Sequence, residues 1–415
     1  MTNSNLTIIN VKQLVGILPK EDLILAGLQM NKLNVIDDAY VEILEDKIHD
    51  FGLMKDLKLE KLKNIYDAKQ GLVLPSWNDS HTHLVFAKNR EKEFIDKING
   101  LSYEQIAERG GGILNSAIHL EKISEKLLFE QSKEKLNDLI NLGTGAIEIK
   151  SGYGLSLQGE LKILRTIKRL KETFNINIKS TFLGAHAIPL KYKNNRKKYL
   201  DLLINEMLPA IYEEKLADYI DVFCETNYFN VDELDLILEA GAKYNLKPKV
   251  HVNQFTSIGG IQKAVEYNAV SVDHLEVMKN DDYKCLKNSK TIATLLPSCS
   301  FFIGIPYAPA KKLIKENIPF ALASDLNPGS SPNGNMNLVN SLACIKMKIL
   351  PETAINASTI NGAYAMEISN ITGSITKGKQ ANLIITKPID SYSYLAYSFG
   401  ENCISKTMIK GKWTK

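Results

Sequence analysis

GLVLPSWNDSHTHLVF, residues 71–86, is an apolar run that ends in two histidines one residue apart, His81 and His83. Side chains at i and i+2 of a strand point to the same face, so both imidazoles reach one point. Neutral imidazole is a common ligand for zinc and iron. Two polar residues capping a strand where the chain meets solvent would read the same way. The rest of the chain has to decide between them.

Working outward from that run, apolar strand-like stretches alternate with amphipathic helical ones from about residue 71 to 325. After GLVLPSWNDS (71–80) come TGAIEIKS (144–151), KSTFLGAH (179–186), DYIDVFCE (218–225), KPKVHVNQ (247–254), AVSVDHLE (269–276), TIATLLP (291–297) and IPFALASD (318–325). Helical patterns such as ELKILRTIKRLKETF (160–174) and VDELDLILEAGAKYN (231–245) lie between them. Continuous apolar strands alternating with such helices predict a parallel sheet covered on both faces. Eight repeats of the unit point to an α/β protein of the (β/α)8 TIM-barrel type. Periodicity cannot show closure, so a doubly wound open sheet is the alternative.

The flanks differ. Residues 1–70 and the tail from 366 to 415 read as short strands and turns, as in LTIINV (6–11) and GSITKGKQANLIITKP (373–388). Each half is small for a separate domain. The expectation is one small β-domain assembled from both chain ends beside a barrel spanning 71–365.

The composition is that of an ordinary globular protein, 44% hydrophobic and 24% charged. The net charge of +4 is too small and scattered to argue for nucleic acid. Five cysteines, Cys224, Cys285, Cys299, Cys344 and Cys403, stand singly with no CxxC pair, which favours a reducing compartment. No apolar run approaches the length of a membrane span, and the N-terminus lacks a secretory-signal pattern. A cytoplasmic protein without membrane or nucleic-acid partners is expected.

The ends of the eight runs collect most of the histidines. His81 and His83 end the first and His186 the third; His251 lies in the fifth and His274 in the sixth, while Glu225 and Asp325 end the fourth and eighth. In a barrel these positions converge on the C-terminal face, where active sites are built. Each histidine alone reads as a structural residue; five at the same end do not. His81, His83, His251 and Asp325 supply three neutral nitrogens and a carboxylate, enough to hold one divalent metal with a position open for water. The metal would bring that water's pKa toward neutrality and so supply hydroxide. Asp325 could then be ligand and proton acceptor together, and His274 could hydrogen-bond a developing oxyanion.

The wording of the sequence is narrower still. DSHTHLVFAKNREKEF, GLSYEQIAERGGGI, IEIKSGYGL, TFLGAHAIP, DVFCE, DHLE, TLLP and SDLNPGSSP, in order from about residue 71 to 365, closely resemble the imidazolonepropionase family of metal-dependent amidohydrolases. The resemblance implies hydrolysis of 4-imidazolone-5-propanoate to N-formimidoyl-L-glutamate in histidine degradation, by metal-hydroxide attack on the cyclic amide carbonyl. It implies one zinc or iron ion per chain on His81, His83, His251 and Asp325, and a homodimer. It further implies that Arg90, Tyr103 and Tyr153 hold the propionate, that His186, Gln254 and His274 line the ring, and that Asn327, Gly329 and Ser330 close around the substrate. Without the resemblance, Arg90 reads as a surface ion pair with Glu91 or Glu93, and the tyrosines as core or rim aromatics. Some family members have glutamate where this chain has Gln254. Glutamine cannot shuttle a proton at neutral pH. The base is therefore assigned to Asp325, and Gln254 is given an orienting role.

Two other enzyme classes use similar strand-end sites. An aminohydrolase needs an acid–base carboxylate near the strand-5 histidine, a position that Gln254 fills poorly. A two-metal cyclic amidase bridges its metals with a carboxylated lysine on strand 4, where this chain has Cys224-Glu225; its strand-end lysine, Lys150, is on strand 2. A binding protein that kept the barrel without its chemistry would not need all four ligands.

Overall fold

Eight parallel strands follow one another in chain order around one sheet: Trp77–Asp79, Thr144–Lys150, Asn177–Ala185, Tyr219–Cys224, Lys247–Val252, Ser271–His274, Ile292–Leu295 and Phe320–Leu322. These are barrel strands 1 to 8. The computed structural model describes residues 5–58, 62, 64–101, 105–106, 109 and 111–414. Strands 1 and 8 meet just beyond their ends. Thr82 bridges Leu326 in parallel, and the Asp325 and His83 amides donate to the carbonyls of His81 and Leu326 at 3.0 and 2.8 Å. The Asp79 carboxylate clasps the same seam, taking the Ser324 amide at 3.0 Å and the Ser324 hydroxyl at 2.5 Å. The sheet is thus a (β/α)8 barrel rather than an open doubly wound sheet.

The run 71–80 is two strands in two sheets. Gly71–Pro75 pairs with Leu383–Pro388 and touches Asn5–Val15, whereas Trp77–Asp79 enters the barrel beside Thr144–Lys150. Pro75 has no amide hydrogen for a ladder, so a strand ends there naturally. The next two amides already serve different neighbours: Ser76 donates to Asn382 and Trp77 to Gly143. The second sheet runs Lys412–Trp413, Ile404–Ile409, Leu383–Pro388, Gly71–Pro75, Asn5–Val15, Val35–Leu44, Lys47–Leu53, with Ile65–Asp67 beside Asn5–Val15. It is built from both chain ends around a core of its own that includes Ile8, Val11, Leu14, Val41, Leu383 and Met408.

Several helices between barrel strands start where a side-chain cap satisfies their first amides. Ser156 caps Leu157–Thr173, three residues earlier than the apolar pattern alone predicts. Asn230 and Glu233 form a reciprocal capping box on Val231–Ala242. Lys247, at the start of strand 5, is exposed, but further along the strands charged side chains turn into the barrel interior. Glu148, Lys150, Asp221, Lys249 and Asp273 are all buried there.

Candidate metal centre and substrate pocket

His81 and His83 leave strand 1 on the same side and meet Asp325, which follows strand 8 with a left-handed backbone, φ 53°. The Nε2 atoms of His81 and His83 lie 3.5 and 3.7 Å from Asp325 Oδ1. The His251 ring, from strand 5, stands 4.4 Å from that of His81 and 5.4 Å from that of His83, centroid to centroid. His274 ends strand 6 with φ 89°, an unusual conformation for a residue with a Cβ. Donor atoms of His81, His83 and Asp325, and again of His81, His251 and His274, lie within 4.8 Å of one another. Of the side chains expected at the top of the barrel, His81, His83, His251, His274 and Asp325 therefore form one cluster, all buried.

The set fits a divalent cation. His81 Nε2 is buried without a hydrogen-bond partner among the described residues, an arrangement that calls for a ligand. Its other nitrogen, Nδ1, is 2.7 Å from Asp273 Oδ2, and His251 Nδ1 is 2.8 Å from Asp221 Oδ2. A carboxylate on Nδ1 holds the proton there and leaves Nε2 as the coordinating lone pair. Burial first, then the nearby Lys150 ammonium and the other imidazoles, push His81 and His251 well below the usual histidine range. His83 is pushed down too, by burial and the His186 and His251 rings. All three are thus neutral, as ligation requires. Burial raises the Asp325 carboxyl to about 6, against the opposing pull of His274. Burial works against charge on His274, but Glu276, with Oε1 3.6 Å from Nδ1, and Asp325 outweigh it and raise its pKa.

A pocket opens beside this cluster. Its wall includes Arg90, Tyr153, His186, Gln254, Asn327, Gly329 and Ser330, with Ile113, Phe223, Phe255 and Ile303 as the apolar part. Tyr103 lies outside the described residues. Arg90 does pair with Glu93, yet not at the surface: both are buried, and Nε and Nη2 donate to Glu93 Oε2 at 2.8 and 2.5 Å. Glu93 also accepts from the Gly112 amide and from Asn115. The guanidinium is thereby held against the loop at 329, where a Cβ would come within 2.2 Å of Arg90 Nη1. Glycine is what allows Arg90 into the pocket.

Tyr153 and His186 stand together, ring centroids 5.4 Å apart, and His186 stacks on His83 at 5.2 Å and 15°. Burial drives the His186 imidazole down to about 4. Its Nδ1 lies 3.1 Å from the carbonyl of Gly152, where φ is 109° and a Cβ would approach that nitrogen to 2.9 Å. The loop carrying Tyr153 is shaped by buried Glu160, whose carboxylate accepts the amides of Gly152, Gly154 and Leu155. Asn327 holds the loop after strand 8 from within: its amide donates to the Asp325 carbonyl at 2.7 Å and its Oδ1 accepts the amides of Gly329 and Ser330 at 2.8 Å. Gln254 Nε2 reaches Cys299 Sγ at 3.5 Å.

Asp221, Asp273 and Glu160 were not among the residues expected at the site, Glu93 was expected only as a surface partner of Arg90, and Cys299 only as a single cysteine. A signal existed for the first two. A carboxylate inside an apolar strand of a closed barrel faces inward, where it must be paired.

The profile of the amidohydrolase family matches residues 72–414. The chain belongs to that family. It is 55% identical to the imidazolonepropionase of Flavobacterium johnsoniae over 97% of this chain and 98% of that one. Against the imidazolonepropionase of Thermoanaerobacter pseudethanolicus it is 38% identical over 99% and 98%. Within the amidohydrolases, then, the chain belongs with the imidazolonepropionases. Solved structures share the fold at much lower identity. A triazine hydrolase variant superposes with a TM-score of 0.75 at 12% identity, covering 99% of this chain and 94% of that one. A guanine deaminase from C. acetobutylicum with bound guanine gives 0.71 at 14%, covering 99% and 100%. A mutant of atrazine chlorohydrolase from Arthrobacter aurescens, complexed with zinc and atraton, gives 0.72 at 12%, covering 98% and 94%. No helix among the described residues is long and apolar enough to cross a membrane.

Proposed function

We propose that this protein is a metal-dependent hydrolase that opens the ring of 4-imidazolone-5-propanoate to give N-formimidoyl-L-glutamate, a step of histidine degradation. The observation that carries the reading is the pairing, in one pocket, of the histidine–aspartate cluster with the buried guanidinium of Arg90. The substrate has a hydrolysable lactam at one end and a carboxylate at the other, and the pocket offers a fitting group to each.

One divalent ion, zinc or iron, would be held by His81, His83, His251 and Asp325; once bound, it polarises a carbonyl and makes water nucleophilic at neutral pH. The chain does the rest. Arg90 takes the propionate through paired N–H groups, its geometry fixed by Glu93, with Tyr153 beside it. Tyr103 joins them in this reading. The ring lies against His186 and Gln254, between the apolar walls of Phe223 and Phe255. Water attacks the lactam carbon, forming a C–O bond, and Asp325 accepts the proton that water loses. His274 donates a hydrogen bond to the carbonyl oxygen as negative charge collects on it. The ring C–N bond then breaks, and Asp325 passes its proton to the departing nitrogen. Asn327, Gly329 and Ser330 close the pocket against bulk water. With this role go a homodimeric state and a cytoplasmic location, which sedimentation and cell fractionation would test.

Lys150 bears on the two-metal alternative. Its ammonium lies beneath the cluster, 2.7 Å from Glu148 and 2.9 Å from Asp221, and is fully buried. So engaged, it is no bridging ligand, and a single ion is preferred. Incubating the zinc- or iron-loaded protein with 4-imidazolone-5-propanoate should consume it with matching formation of N-formimidoyl-L-glutamate. Absence of ring opening, with metal bound, would overturn the assignment.

A further inference from the structure

The carboxylate oxygen of Asp273 that meets His81 and the carboxylate oxygen of Asp221 that meets His251 both face the same ammonium. Lys150 Nζ is 2.9 Å from Asp221 Oδ2 and 3.5 Å from Asp273 Oδ2. These are the atoms that lie 2.8 and 2.7 Å from the two imidazole Nδ1 positions. Lys150 is itself fixed from below by Glu148 Oε1 at 2.7 Å, and Glu148 Oε2 lies 3.0 Å from buried Lys249. Two acids from strands 4 and 6 and two imidazoles from strands 1 and 5 thus converge on one cation from strand 2.

We propose that Lys150 is a positioning residue for the metal centre, holding His81 and His251 in place together through Asp273 and Asp221. The proposal rests on the reading of His81 and His251 as ligands. Two buried carboxylates side by side repel one another strongly where the dielectric is low. The ammonium between them removes that repulsion and sets their separation. Each carboxylate in turn sets the direction of one imidazole. Without the cation the acids separate, and both Nε2 lone pairs lose their common focus. Partners behind a ligand matter in this way generally, and their loss typically costs about 10–100-fold in metal affinity.

The test compares zinc affinity, by competition with a chelator, and the visible spectrum of the cobalt-substituted protein. Wild-type protein is measured beside Lys150→Met and Lys150→Gln, with circular dichroism to verify folding. The expected result is folded variants that bind zinc roughly tenfold to a hundredfold more weakly, with a changed cobalt spectrum. Wild-type affinity and spectrum in a folded variant would overturn the proposal and leave the ligand assignment standing. Failure of the wild-type protein itself to take up zinc or cobalt would overturn both. Should neither variant fold, Lys150→Arg is read in their place. Its larger planar head cannot occupy the closed site without moving the acids, so undiminished affinity there overturns the proposal too.

Discussion

Asp273 Oδ2 lies 2.7 Å from His81 Nδ1 and turns the opposite nitrogen of that ring toward Asp325. Asp273→Asn keeps the shape of the side chain and removes its charge. Zinc affinity should fall about 10–100-fold. The rise in melting temperature on adding zinc should shrink with it, because stabilisation by a ligand follows its concentration relative to Kd. Calorimetry with and without zinc, at one fixed concentration, checks both.

Asp325 serves as ligand and proton acceptor in the proposed reaction. Asp325→Ala should lower kcat by roughly 10²–10⁴-fold or more, the scale on which a positioned acid–base group contributes. Metal content, measured on the same preparation, should drop as well. Near-normal turnover with metal retained would remove Asp325 from the mechanism.

At Gly329 a methyl group would fall 2.2 Å from Arg90 Nη1. The guanidinium cannot simply swing aside, since Glu93 binds it at two nitrogens. Gly329→Ala should therefore weaken the grip on the propionate, raising KM roughly tenfold to a hundredfold, the value of a charged hydrogen bond of about 1.5–3 kcal/mol. The effect on kcat should be smaller, because a carboxylate remote from the reacting bond is bound alike in ground and transition states. An equal fall in kcat would place Arg90 nearer the chemistry.

Asp79 predicts a pH dependence of stability. Burial raises its carboxyl from 3.8 to about 7, although Ser324 donates to both oxygens. The folded protein therefore binds the Asp79 proton more tightly than the unfolded chain does. That contribution to stability is complete below about pH 4 and declines as pH rises to about 7. Asp79→Asn has no such proton to lose. The melting temperature of metal-free wild-type protein, relative to the variant, should fall as pH increases across this window. A constant difference between them would mean that Asp79 ionises normally at the barrel seam.

Much of this was legible in the chain itself. Eight apolar runs separated by amphipathic helices indicated a parallel sheet covered on both faces, and their number pointed to a barrel, while closure itself rests on the seam between Thr82 and Leu326. His81 and His83 could be placed on one face by the period of a strand alone. The break within 71–80 was less legible: Pro75 marks it, but which sheet claims each half depends on neighbours hundreds of residues away, such as Leu383–Pro388.

What the sequence by itself determined was therefore the succession of strands and helices along the chain, the strand ends that carry the histidines, and, through its motifs, the family. Those depend on local periodicity and residue type. What only the tertiary structure decided was pairing between distant strands. Arg90 is both an ion pair with Glu93 and a wall of the pocket, an outcome that neither sequence-based alternative contained. Asp273, 192 residues from His81, and Lys150, 71 residues before Asp221, read in the chain as ordinary strand positions. Closure of the barrel removes water from its interior and strengthens every charge inside. That is why these distant residues must find one another there, and why the histidine pair in residues 71–86 rests on a layer of charge that its own segment does not reveal.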